Sequence, residues 1–203
     1  MQIQEVLRQL DELFATNQIQ EAEQFLTEAL MQAKEEESQK KSSGEEVLIL
    51  LNELTGYYRS VGRHEEAVQN AREALEQIRK LGMSESAEHG TTLVNAATAL
   101  RAAGQYEAAL EAYREAEQIY SICLPSEDAR FAGLYNNMSL VYERQNAHEE
   151  ALSCLPKSAF RHFTNCRCKG RDSGNLHESG RIVFENRADF GRFKLSGEGI
   201  GVI

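Results

Sequence analysis

Tyr135-Asn136-Asn137-Met138-Ser139-Leu140-Val141-Tyr142-Glu143-Arg144-Gln145-Asn146-Ala147-His148-Glu149-Glu150-Ala151-Leu152-Ser153-Cys154-Leu155 is the stretch on which the fold turns. Apolar or small residues fall at 135, 138, 139 and 142, then at 151, 152 and 155. That spacing predicts one helix, a tight turn at Gln145–Ala147 and the start of a second helix. Asn146 with Glu149 three residues later has the pattern of a capping box for the second helix. A pair of amphipathic helices cannot bury its apolar stripe alone, so copies of it are expected alongside.

Self-comparison finds them. Stepping back from Ala151 by 42, 42 and 45 residues reaches Ala109, Ala67 and Ala22. Nine residues before these four anchors, in chain order, stand Leu13, Tyr58, Leu100 and Tyr142, and sixteen before stand Val6, Leu51, Leu93 and Tyr135. Seven residues after them come Ala29, Ala74, Ala116 and Ser158. Small residues at both places let antiparallel helices approach closely at their crossing. Five residues before the anchors come Asn17, Gly62, Gly104 and Asn146, the residue types that best tolerate a left-handed backbone.

With its spacing of 42 and the motifs Tyr135–Tyr142 and Ala103-Gly104-Gln105-Tyr106-Glu107-Ala108-Ala109-Leu110, the pattern resembles the tetratricopeptide repeat. The spacing is that of kinesin-light-chain-type repeats, and the resemblance covers about residues 3–155. It implies an all-α fold, an α-α superhelix of antiparallel helix pairs. Repeats are expected at about 3–36, 47–81, 88–121 and 127–155, with helix pairs at 3–15 and 18–36, 47–61 and 64–81, and 88–103 and 106–121. The first copy departs most, with Gln9 where the others carry Leu54, Ala96 and Met138. Gly82 is placed as a helix stop, Ser126 as a cap for the helix that follows it, and Glu35–Glu46 as a solvated, charged connector.

From Pro156 the composition inverts. Residues 156–203 hold nine Lys/Arg against five acids and seven of the fourteen glycines, without helical periodicity. This basic, Gly-rich tail is expected to be irregular, either disordered or a translated wrong reading frame. The next turn glycine falls due near residue 188. There Asn186-Arg187-Ala188-Asp189 can be encoded as AAC CGG GCA GAT, which one base later reads Thr-Gly-Gln. On that view the chain is truncated, and the exposed stripe around Leu140, Val141 and Leu152 would favour self-association.

Twenty-two basic against 32 acidic side chains give a formal charge of −10, which argues against a nucleic-acid backbone or an anionic membrane as partner. No apolar run approaches the roughly 20 residues a spanning helix needs, and the start lacks a signal-peptide pattern. A cytoplasmic location is expected. There is no phosphate-binding glycine loop, His-Glu-x-x-His or nucleophile elbow, so neither enzyme activity nor a cofactor is expected. His64 and His148 stand where Tyr106 does in the third copy and are taken as packing residues.

In repeats of this family the first helix of each pair lines a concave groove. Carried over position by position, that geometry puts Asn52, Asn95, Asn136 and Asn137 on the groove floor. An amide there holds a peptide backbone through paired donor and acceptor. Arg59 and Arg101, eight residues before their anchors, would select acidic groups. The competing view is that the asparagines satisfy neighbouring helices and the arginines are solvated. The function implied is a non-catalytic adaptor or scaffold that takes a protein or peptide partner. Two alternatives differ in class. One is the N-terminal recognition region of a longer protein, even an enzyme. The other is a metal-responsive protein using Cys166 and Cys168, although their one-residue gap fits zinc poorly.

Overall fold

The computed structural model describes residues 2–154. Cys166, Cys168, Ser158 and every expectation about the tail lie outside the described residues. Seven complete helices follow one another: α1 (Ile3–Ala15), α2 (Ile19–Ser38), α3 (Glu45–Ser60), α4 (His64–Leu81), α5 (Ala87–Ala102), α6 (Tyr106–Cys123) and α7 (Ala129–Arg144). An eighth opens at residues 148–154.

Within each pair, one turn does two jobs. Asn17, Gly62, Gly104 and Asn146 all take positive φ, between 58° and 79°. This left-handed residue lets the next amide reach back five residues to the finishing helix. Thus Gln18 N–H donates to Leu13, Arg63 to Tyr58, Gln105 to Leu100 and Ala147 to Tyr142, at 2.8–2.9 Å. The same four residues then offer their carbonyls to Ala22, Ala67, Ala109 and Ala151, starting the next helix at 3.0–3.1 Å. Asn146 therefore closes α7 and does not cap the following helix, because a left-handed residue cannot adopt the extended backbone of an N-cap.

Two other local readings need correction. The cap of α7 is Asp128, whose carboxylate accepts from Arg130 N–H at 3.0 Å; Ser126 lies two residues too early. Nor is the charged connector merely solvated. The buried Gln77 of α4 donates to Glu37 at 2.6 Å and to the Gly44 carbonyl at 3.1 Å. Gly44 stands at φ +91°, where a side chain is strained, and a Cβ there would also press on the ends of Glu37 and Gln77 that hold the connector. Gly82 ends α4 in the left-handed conformation, as its position implied.

The anchor alanines Ala22, Ala67 and Ala109 are fully buried and Ala151 nearly so. Apolar side chains gather in two clusters. One joins α1 to α4 around Leu26, Leu50, Leu51, Leu54 and Ile78; the other joins α5 to residue 154 around Tyr113, Tyr120, Phe131, Leu134 and Val141. Ala67, Val68 and Ala99 stitch them together. Burying each large side chain contributes roughly 1.5–3 kcal/mol. Tyr120 and Phe131 meet edge to face with centroids 5.7 Å apart. Gly90 makes room for that pair, since a Cβ there would sit 2.5 Å from the Tyr120 ring.

Each second helix packs on the first helix of the next pair, and first helices also touch one another, α3 with α5 and α5 with α7. No comparable contact joins α2 to α4 or α4 to α6. The row of first helices is therefore the tighter one, on the inside of the curve. That row is the concave face.

Candidate concave binding face

The face is built from positions that the helical period turns away from the partner helix. On α3, Asn52 Nδ2 donates to the Leu48 carbonyl at 3.2 Å and to Thr92 Oγ1 of α5 at 3.1 Å. Its Oδ1 accepts from Asn95 Nδ2 at 2.8 Å. Asn95 is buried. These two asparagines thus lace α3 to α5, as the competing sequence view required of them. Asn136 and Asn137 on α7 differ. Both are half-buried, and among the described residues neither side-chain amide makes a hydrogen bond. The lacing ends at α5, and open amides begin at α7.

Below the asparagines lies a polar layer that sequence reasoning missed. Thr98 is buried, donates to the Val94 carbonyl and meets the Tyr113 hydroxyl at 2.9 Å. Burial pushes the Tyr113 hydroxyl pKa up, while Thr98 and Arg101 pull it the other way. One layer along, Thr91 meets the Tyr120 hydroxyl at 3.0 Å, and burial raises that pKa to about 12. Thr91, Asn95 and Thr98 stand at i, i+4 and i+7, and a polar stripe at that spacing inside an apolar helix is the signal that could have found them.

Arg59 and Arg101 are half-buried, not solvated. Burial draws the Arg59 pKa below the usual arginine value; Tyr113 opposes this and the neighbouring Arg101 charge adds to it. Arg101 Nε is buried without a hydrogen-bond partner among the described residues. The structure thus brings Asn52 together with Asn95, and Arg59 together with Arg101, while Asn136 and Asn137 stand one repeat further on.

Of the histidines, His64 is half-buried with Nδ1 enclosed and unpartnered, whereas His148 is exposed and packs no interface among the described residues. The apolar stripe expected near the last helix is only partly open. Leu140 and Leu152 are exposed, at 36% and 63%, but Val141 is fully buried. No described helix is long and apolar enough to cross a membrane, and no described group of His, Cys, Asp and Glu could hold a metal ion.

The family model of the tetratricopeptide repeat matches residues 46–121. None of the curated proteins matches the chain. Among solved structures, the crystal structure of BtubC (BKLC) from P. vanneervenii is similar at 18% identity with a TM-score of 0.63, over 89% of this chain and 86% of that one. TPR-like repeats assigned to a kinesin light chain of Podosopora anserina are similar at 21% identity with a TM-score of 0.66, over 80% of this chain and 76% of that one. At these identities the likeness concerns the fold.

Proposed function

The chain carries tetratricopeptide repeats, and from that premise we propose that it is a non-catalytic protein-interaction module whose concave face captures an extended peptide or a partner helix. Repeat arrays of this architecture generally use the concave surface in this way. The observation that carries the reading is the pair Asn136 and Asn137. Their half-buried amides face no internal partner among the described residues, beside a floor that Asn52 and Asn95 already hold rigid. An amide of this kind offers a donor and an acceptor to a peptide backbone and reads no particular side chain. The laced pair contributes rigidity; the open pair contributes binding.

A random-peptide library selected on the purified chain tests this. Selected peptides are expected to bind saturably and to protect α3, α5 and α7 from hydrogen exchange. The double substitution Asn136→Ala with Asn137→Ala should weaken binding about tenfold, the worth of roughly 1.4 kcal/mol from two lost hydrogen bonds, with helicity unchanged. Protection confined to α2, α4 and α6, or undiminished binding by the double variant, would overturn the assignment.

A further inference from the structure

The concave face carries positive charge that no carboxylate among the described residues neutralises. Arg59 on α3 and Arg101 on α5 hold the same position in successive repeats, each eight residues before its anchor alanine. The chain has ten more acidic than basic side chains, and four of the basic ones, Arg8, Lys34, Arg63 and Arg130, each meet a carboxylate. Arg59 and Arg101 meet none among the described residues. Each is half-buried, and Arg101 Nε has no water-facing surface and, among the described residues, no hydrogen-bond acceptor. Two like charges at equivalent positions of the touching helices α3 and α5, each drawn partly out of water, destabilise the empty face. Burial acts on Arg59 against its charge, and the Arg101 charge acts in the same sense. A group that restores the balance must be an anion with several acceptor oxygens.

We infer that Arg59 and Arg101 together receive a phosphoryl group carried by the bound partner, a phosphorylated serine, threonine or tyrosine side chain. The charge count selects it over a carboxylate. A phosphomonoester brings about −1.5 to −2 at neutral pH and three strong acceptor oxygens, enough for two guanidinium forks. One carboxylate would leave one of the two charges uncompensated. The Thr98 and Tyr113 hydroxyls, bonded to each other at 2.9 Å, form the polar layer associated with the arginines. This assignment rests on the concave face being the binding surface.

Phenyl phosphate and benzoate, titrated into the whole chain at constant ionic strength, provide the test. The readout is the Nε–H resonances of the arginines by NMR, which needs no substitution. The expected result is saturable phenyl phosphate binding that moves the Arg101 Nε–H resonance, with benzoate about tenfold weaker or worse. Arg59→Gln and Arg101→Gln should each lower phosphate affinity about tenfold, with circular dichroism unchanged. A linear, non-saturating response, equal binding of benzoate, or full affinity in both variants would overturn the inference. Selected groove peptides that bind equally well with serine and phosphoserine would also overturn it, while leaving the peptide-groove reading in place. Loss of all peptide capture would remove both.

Discussion

Helices α1 and α5 open their repeats in the same register, yet they are packed very differently. Only Leu10 is buried in α1, whereas α5 buries nine residues from Gly90 to Ala99. The neighbours explain it. α5 lies among α3, α4, α6 and α7, and α1 packs chiefly on α2. A helix covered on one face needs a sharp apolar stripe, and Ile3, Val6, Leu7, Leu10 and Phe14 supply one. A helix covered on nearly all sides needs small residues throughout, and the Thr/Ala/Val run of α5 supplies those. Clear amphipathicity thus marks the less enclosed helix. It does not mark the more stable one.

The sharpest way to break this comparison is to cut equivalent side chains. Leu93 and Val6 both stand sixteen residues before their anchors, but Leu93 is buried and Val6 half-buried. Leu93→Ala should cost about 3 kcal/mol in urea unfolding, and Val6→Ala about 1 kcal/mol or less. Equal costs would mean that α1 is as tightly held as α5. Next in size is Gly90→Ala. A methyl group 2.5 Å from the Tyr120 ring forces the ring or α5 to move, at about 1–3 kcal/mol, visible as a lowered melting temperature. An unchanged midpoint would show that α5 has slack the comparison denies it.

Gln77→Ala carries the question to the connector between these regions. It strips the Gly44 carbonyl of its buried donor and should cost about 1–2 kcal/mol. Faster amide exchange at residues 39–46 should accompany the loss; exchange unchanged there would mean the connector is held by something else. The smallest effects belong to the turns. Gly104→Ala puts a Cβ on a residue at φ +77° and should cost about 1 kcal/mol, whereas Asn17→Gly should change stability by only a few tenths. Chemical denaturation of the two variants side by side would resolve the difference.

Much of this architecture was legible because the repeat states each local rule several times over. The four left-handed turn residues and the anchor alanines stand out by recurrence, and the all-α solenoid follows from them. Legibility failed where a side chain acts across repeats. Gln77 looks like an ordinary polar helix residue until α4 is set beside the connector. Asn52 and Asn95 could not be told from open groove amides, because their mutual hydrogen bond exists only once α3 lies against α5. Ser126 and Asp128 are both residue types that suit a cap, and sequence alone leaves helix starts uncertain by a residue or two. The half-burial of Arg59 and Arg101 was also invisible, as it depends on how closely successive pairs stack.

A chain built this way can change length only between its pairs. One extra residue at Gly62 or Gly104 would turn the following helix by about 100° and carry Ala67 or Ala109 out of its crossing. The same insertion at residues 82–86 or 124–128 would lengthen a link and leave both flanking pairs in phase. The first interval of 45 residues, against 42 for the two after it, places its three additional residues past the crossing of its pair, two at the end of α2 and one in the link 39–44. Each helix pair is in this sense an indivisible cassette, and indels divide the molecule along lines its helices do not reveal.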